Sequence, residues 1–196
     1  MGQLIKEVNS LYKSSIEQAN ELQKISVSDY STLLLKGNDD KIRTTLYDIL
    51  AGNALDFYSN GESGVAEPVY AFVIDKKEFF LPSEQFVKYD IKAQDKSSMK
   101  YQALQLFQFM ENRYLLSGNR ESLYNLALQR VKFCYDNSVS EDKEKSFEES
   151  LNSLILSSKG TESESEAGYE IANFYYEQSQ NIAKSAEEKK LLIKLS

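Results

Sequence analysis

The stretch that decides the fold reads SMKYQALQLFQFMENRYLLSG over residues 98–118 and continues as NRESLYNLALQRVKFC over residues 119–134. Apolar residues recur every three or four positions in both segments, as they do on the buried face of an α-helix. Gly118 suits a left-handed C-cap, and the adjacent Asn119 is a favoured N-cap. The sequence therefore predicts two consecutive helices joined by a very short turn.

The same apolar spacing extends from this helix pair towards both ends of the chain. Asn38-Asp39-Asp40 offers N-cap candidates for a helix that carries Ile42 to Phe57 on its apolar face. Further amphipathic segments lie at residues 4–22, 26–37, 147–155 and 167–175. Two Ser-x-x-Glu patterns match capping boxes and predict two more helix starts. They are Ser138 with Glu141, and Ser185 with Glu188.

Helices of similar length recur with short joins from residue 97 to residue 196, which is typical of antiparallel helix pairs stacked in an α-solenoid. The pattern Ile171-Ala172-x-x-Tyr175 fits the first helix of a tetratricopeptide unit. We therefore expect an all-α fold, built as a right-handed, tetratricopeptide-like superhelix of antiparallel helix pairs.

Residues 61–92 interrupt the helical pattern and form an aromatic-rich insertion. Glycine and proline break the helix, and the unbroken apolar run at residues 69–74 then has the composition of an extended segment. A polar turn and a second apolar run at residues 79–81 follow. The sequence predicts an extended segment or one short β-hairpin near residues 65–91, packed on the helices. Pro82 then opens a single helical turn that carries Phe86.

The insertion also contains the candidate interaction surface, formed by Tyr70, Phe72, Phe79 and Phe80. Large aromatic side chains supply much of the contact area at protein interfaces. Two interpretations stay open and are compatible. The segment either fills a groove of its own helical domain or docks a neighbouring domain of a parent protein.

The composition disfavours several classes of partner. The chain has 196 residues and a formal net charge of −7. It shows no basic stripe of the kind that neutralises phosphates, so nucleic acids and anionic membrane surfaces are not expected partners. No run approaches the ~20 apolar residues of a membrane-spanning helix. The polar start Met1-Gly2-Gln3 predicts that this chain carries no export signal.

The chemistry-bearing residues predict no catalytic, metal or cofactor site. Histidine is absent and Cys134 is the sole cysteine, so no nucleophile–base pair or zinc cluster forms from the usual residues. Cys134 lies on an apolar helical face and is predicted to be a buried, inert thiol. The acidic clusters lie where helix starts favour negative charge, and no calcium-binding loop is present. We therefore expect a protein that is not an enzyme and that has no small-molecule substrate.

Five short stretches, taken in order, resemble the helical N-terminal region of large bacterial alpha-2-macroglobulin-like proteins. They are TLYDILA at residues 45–51, NALDFY at 53–58, PVYAF at 68–72, FLP at 80–82 and KYQAL at 100–104. The resemblance is clearest over residues 45–135. It implies a helical module of an exported, envelope-associated protein that traps proteases.

The functional residues of that family have no counterpart here. Cys134 is followed by Tyr135-Asp136-Asn137, which is not the Cys-x-Glu-Gln thioester motif. The resemblance therefore supplies a context, namely a location in the cell envelope or periplasm, but no site residue.

Together these patterns predict one helical domain over residues 1–196, cut from a larger protein, with helix-pair repeats at 97–196. Its expected role is that of a non-catalytic scaffold or interaction module in a protease-inhibitor-like parent, contacting other domains or another protein. The alternative is a free-standing, peptide-binding helical-repeat adaptor in the cytoplasm. A gene that continues into β-sandwich domains after an export signal would favour the first.

Overall fold

The computed structural model describes residues 2–30, 32–33, 41–60 and 71–195, with side chains as far as residue 182. Within these ranges the chain forms α-helices, two complete 3-10 helices and two isolated β-bridges but no β-strand, which confirms the predicted all-α class. The α-helices are α1 (Gly2–Ile16), α2 (Ala19–Leu22), α3 (Leu46–Ser59), α4 (Ser83–Phe86), α5 (Met99–Ser117), α6 (Arg120–Asn137), α7 (Lys143–Ser157) and α8 (Glu162–Leu195). The 3-10 helices are Val27–Tyr30 and Lys77–Phe80.

The turn between α5 and α6 forms as the sequence predicts. Gly118 adopts a left-handed conformation with φ of 70°, which a residue without a Cβ atom adopts at little cost. The Asn119 side chain then accepts a hydrogen bond of 3.2 Å from the backbone N–H of Ser122. The two caps end one helix and start the next, so α5 and α6 fold back on each other.

Helix α6 lies at the centre of the domain, because it contacts α5, α7 and α8. Helix α3 packs on the other side of α5, and α1 packs on α3. The core between these helices is largely aromatic and aliphatic. Its most deeply buried members include Ala51, Leu104, Phe107, Val131, Cys134 and Leu151.

The described part of the insertion takes the extended form rather than the hairpin. Residues 71–76 form no helix and make one isolated β-bridge, from Ile74 to Ser138, while the Phe72 ring packs against Phe79 and Tyr101. The second apolar run folds as the 3-10 helix Lys77–Phe80 instead of a strand. A strand would point Phe79 and Phe80 to opposite faces, whereas the helical turn buries both rings.

The predicted single turn after Pro82 is confirmed as α4, with Phe86 fully buried. Ser138 does not open a helix: its hydroxyl donates to the carbonyl of Ile74, and α7 begins five residues later. The helix start predicted at Ser185 is also wrong, because α8 runs through that position without a break. None of the helices in the described part of the chain combines the length and apolar character needed to cross a bilayer.

Candidate interaction surface

The aromatic residues of the insertion lie in the core of the domain. The Phe72 ring meets the rings of Phe79 and Tyr101 edge-on, at centroid distances of 5.9 and 5.6 Å, and Phe80 is buried as well. Tyr70 lies outside the described residues. The placement of these three phenylalanines favours the interpretation in which the segment fills a groove of its own domain.

A buried arginine fixes the insertion to the helices. Arg130 of α6 donates from Nε to a carboxylate oxygen of Glu111 on α5 at 2.6 Å. Its two terminal nitrogens donate to the carbonyls of Phe79 and Leu81, at 2.5 and 2.9 Å. The guanidinium carbon also lies 4.0 Å from the centroid of the Phe86 ring.

This arrangement explains why the second apolar run needs no partner strand. The carbonyls that a hairpin would pair are bonded by the Arg130 guanidinium, whose planar fork of donors suits several acceptors at once. Arg130 and Glu111 are almost completely excluded from water, so the two charges neutralise each other within the core. The pair anchors the insertion to the helices, and a small cavity of about 80 Å³ lies beside Arg130.

Cys134 is the buried thiol that the sequence predicts. Its sulfur lies 3.6 Å from the carbonyl oxygen of Phe79 and is inaccessible to solvent. Burial raises the pKa of the thiol to about 12, an effect that Glu111 reinforces and the Arg130 charge opposes. The thiol is therefore protonated at neutral pH and is shielded from reagents.

A second polar cluster, which the sequence analysis missed, joins α3 to α5. Asp48 and Thr45 form a capping box at the start of α3. The Asp48 carboxylate also accepts a hydrogen bond of 2.8 Å from the Tyr114 hydroxyl and pairs with Arg113. Because the carboxylate is saturated by donors, the cluster has a structural role. The spacing Thr45-x-x-Asp48 is the sequence pattern of this capping box. The upstream residues Asn38-Asp39-Asp40, which lie outside the described residues, offered an alternative N-cap, but α3 begins after Thr45.

An open groove of about 690 Å³ runs between the insertion and α7. Charges of both signs line it, with Lys77 and Glu78 from the insertion and Lys145 and Glu149 from α7. Serine hydroxyls from α7 complete its floor. Such a groove offers hydrogen bonds and ion pairs along an extended path, which suits a peptide better than a compact apolar ligand.

Helix α8 is held to the domain along one face. Phe174 lies edge-on against Phe147 and Tyr135, at centroid distances of 5.4 and 5.9 Å. Glu170 pairs with Lys132 of α6. The Tyr175 hydroxyl adds a hydrogen bond of 2.6 Å to Glu148 of α7. These contacts fix the rotation of α8 about its axis.

The opposite face of α8 is exposed, and we call it the outer stripe. Its tyrosines, Tyr169 and Tyr176, are 70% and 63% exposed. Four of the twelve exposed large hydrophobic or tyrosine side chains in the described part of the chain fall within residues 169–182 of this helix. The outer stripe follows the spacing of a coiled-coil seam and consists of Ser165, Tyr169, Ala172, Tyr176 and Ser179.

The outer stripe carries no charge, although the chain as a whole is strongly acidic. Gly168, Tyr175 and Ile182 flank it on one side and widen the uncharged surface. Among the described residues, no group of three or more acidic or cysteine side chains is placed to hold a metal ion. The outer stripe is an uncharged, exposed row on an acidic chain.

No protein-family model, curated protein or solved structure matches this chain.

Proposed function

We propose that this chain is a non-catalytic helical scaffold or protein-interaction module that binds its partner through the outer stripe of α8. The observation that carries the proposal is the exposure of Tyr169 and Tyr176 on a helix whose other face is anchored. Exposed apolar side chains that occur singly are ordinary on a protein surface, whereas a contiguous row marks an interaction site.

The chemistry of the outer stripe fits a protein partner. Interface centres are enriched in tyrosine and depleted in charged residues, and tyrosine is prominent among the residues that dominate binding energy. A tyrosine side chain has few rotatable bonds, so little conformational entropy is lost when it becomes ordered. The anchored inner face of α8 adds preorganisation, because the stripe does not have to form on binding.

The non-catalytic part of the proposal is supported by the residues themselves. The chain has no histidine, and its one thiol is buried and protonated. Of the two buried carboxylates, Asp48 pairs with Arg113 and also accepts from backbone and hydroxyl donors, whereas Glu111 pairs with Arg130. Both carboxylates are therefore engaged in ion pairs that hold the helices together.

The finer parts of the proposal concern architecture and context. We propose that α5 to α8 belong to a tetratricopeptide-like superhelix. In this superhelix the outer stripe lies on the surface that contacts the partner. We further propose a parent protein of the alpha-2-macroglobulin-like type in the cell envelope, a context supported by the sequence resemblance over residues 45–135. The cytoplasm is the alternative location.

Site-specific photocrosslinking tests the proposed function. A photoreactive amino acid replaces Tyr176 in the chain expressed in its native cells, and the same amino acid replaces the exposed Leu116 of α5 as the matched control. We expect a discrete crosslinked species from position 176 and none from position 116. Equal, diffuse labelling from both positions would remove the support for the outer stripe.

The groove beside α7 favours a second candidate function, a peptide-binding adaptor. Its mixed charges and serine hydroxyls provide the contacts for an extended chain. Saturable binding of a peptide from a random-sequence library, lost in Ser153→Arg and retained in Tyr176→Glu, would support the adaptor. Binding that Ser153→Arg does not affect would exclude the groove as the peptide site.

A further inference from the structure

Helix α8 is long and its charges are segregated along its length. At a rise of 1.5 Å per residue, its 34 residues span about 50 Å. The first half contains acidic residues and no lysine or arginine, and the second half is rich in lysine. The acidic residues are Glu162, Glu164, Glu166, Glu170 and Glu177, and the lysines are Lys184, Lys189, Lys190 and Lys194, accompanied by Glu187 and Glu188.

Two copies of this helix are complementary when they run antiparallel. The acidic first half of each copy then lies beside the lysine-rich second half of the other, and the two helix dipoles oppose each other favourably. A parallel arrangement would instead place acidic residues beside acidic residues. Glu162 and Glu170 also pair with Lys41 and Lys132 of the same chain, so the complementarity is carried mainly by the remaining charges, and it favours the antiparallel direction.

The outer stripe supports the same arrangement through the sizes of its residues. In an antiparallel pair of seams, one register places tyrosines opposite small residues of the second copy. The facing backbone positions are 176 and 179, 172 and 183, and 169 and 186, which carry Tyr and Ser, Ala and Ala, and Tyr and Ala. Alternating large and small residues let two helices approach closely, as in knobs-into-holes packing.

From these observations we infer that the partner of the outer stripe is a second copy of this chain, paired antiparallel along α8. The inference rests on the proposed function and names its partner. The interface is isologous, since a two-fold axis relates identical surfaces. The two-fold axis passes near residues 177 and 178, because position 176 of each copy faces position 179 of the other.

The uncharged centre of the outer stripe lets the two acidic molecules approach. Each chain has a net charge of −7, so two copies repel each other at long range. The contact itself brings together the most neutral surface of the helix, flanked at each end by opposite charges. Raising the salt concentration screens the repulsion and the end contacts together, while the packing of the tyrosines persists.

Sedimentation equilibrium of the purified chain, combined with variants, tests the inference. We expect a species of twice the chain mass of 22.4 kDa at micromolar concentration. Tyr176→Glu should weaken self-association by about tenfold or more, because it places a charge in a desolvated seam. Leu156→Glu, at an exposed position of α7, is the matched control and should leave it unchanged.

A charge-reversal pair tests the antiparallel direction. One variant carries Glu162→Lys and Glu166→Lys, and the other carries Lys189→Glu and Lys190→Glu. We expect each variant to self-associate weakly and their equimolar mixture to recover the dimer, with circular dichroism confirming that both remain helical. Dimers that persist in each variant, with no gain on mixing, would overturn the antiparallel pairing.

The experiments separate failure of this inference from failure of the proposed function. A wild-type chain that remains monomeric at high concentration overturns self-pairing. If photocrosslinking at position 176 then yields an adduct with a different protein, the outer stripe remains an interaction surface with another partner. If it yields no adduct, the proposed function fails as well.

Discussion

At the scale of the residue, Arg130 shows how the fold constrains a single buried side chain. A buried guanidinium is tolerated only when its charge and its donors are all satisfied. Here Glu111 neutralises the charge, two backbone carbonyls accept the remaining donors, and Phe86 covers the flat face. One side chain therefore connects α5, α6 and the insertion.

Replacing this arginine should be among the most damaging single changes in the chain. Arg130→Met leaves Glu111 buried without its partner, and we expect the free energy of unfolding to fall by about 3–5 kcal/mol. Urea denaturation followed by circular dichroism measures it. Arg120→Met, at an exposed position of the same helix, is the control; it loses a hydrogen bond to the Ser157 carbonyl and a contact with the Tyr124 ring, so its expected cost is at most about 1 kcal/mol.

The double variant Arg130→Met with Glu111→Leu distinguishes an unpaired charge from lost packing. It removes both charges together, and we expect it to be more stable than Arg130→Met alone. A double variant that is less stable than the single one would show that Glu111 has other stabilising contacts.

Cys134 should be unreactive in the folded chain. Burial keeps the thiol protonated and out of contact with solvent, so a thiol-reactive chromogenic disulfide should label it only when the chain unfolds. The same reagent in concentrated denaturant provides the reference rate. Labelling of the native chain at that reference rate would contradict the burial of the α5–α6 face.

At the scale of the element, helix ends were harder to predict than helix interiors. Apolar spacing is repeated over many residues and identifies α5 and α6 directly, whereas a cap depends on one hydrogen bond. Ser138 has the right neighbours for a cap, but its hydroxyl bonds Ile74 of the insertion. The partner that outcompetes the cap is far away in the sequence, so no local pattern could reveal it.

Two alanine substitutions separate a genuine cap from a mistaken one. Asn119→Ala removes the hydrogen bond to the Ser122 amide and should reduce the free energy of unfolding by about 1 kcal/mol. Ser185→Ala changes a position inside α8, where alanine has the higher helix propensity, and should be neutral or slightly stabilising. Chemical denaturation of both variants measures the difference. Equal destabilisation would indicate that a helix starts at Ser185.

At the scale of the whole molecule, the fold class followed from composition and periodicity, whereas the candidate surface did not. Apolar spacing shows that α8 has a face to bury, but it does not show which of the aromatic residues that face includes. Phe174 is buried between α6 and α7, while Tyr176, two residues later, is exposed. Only the packing of three helices decides between them. The same holds for Phe72, whose aromatic character fits a docking surface and a core equally well.

The stability of the whole molecule should decrease at alkaline pH because tyrosines in the α3–α5 contact are held protonated. Burial is the main cause that raises the pKa of Tyr47 from 10.0 to about 12, and burial together with Asp48 raises the pKa of Tyr114 further. Above pH 10.0 the unfolded chain releases these protons while the folded chain keeps them. The unfolded state then binds fewer protons, so the free energy of unfolding falls as the pH rises towards about 12.

Urea denaturation at a series of alkaline pH values measures this slope, and tyrosine absorbance reports ionisation in the same samples. Tyr47→Phe should make the slope shallower, because it removes one of the groups whose protonation differs between the two states. Tyr169→Phe, at an exposed position of α8, is the matched control and should retain the wild-type slope. A slope that responds to the exposed tyrosine and not to Tyr47 would mean that α3 does not bury this ring against α5, and the α3–α5 packing would need revision.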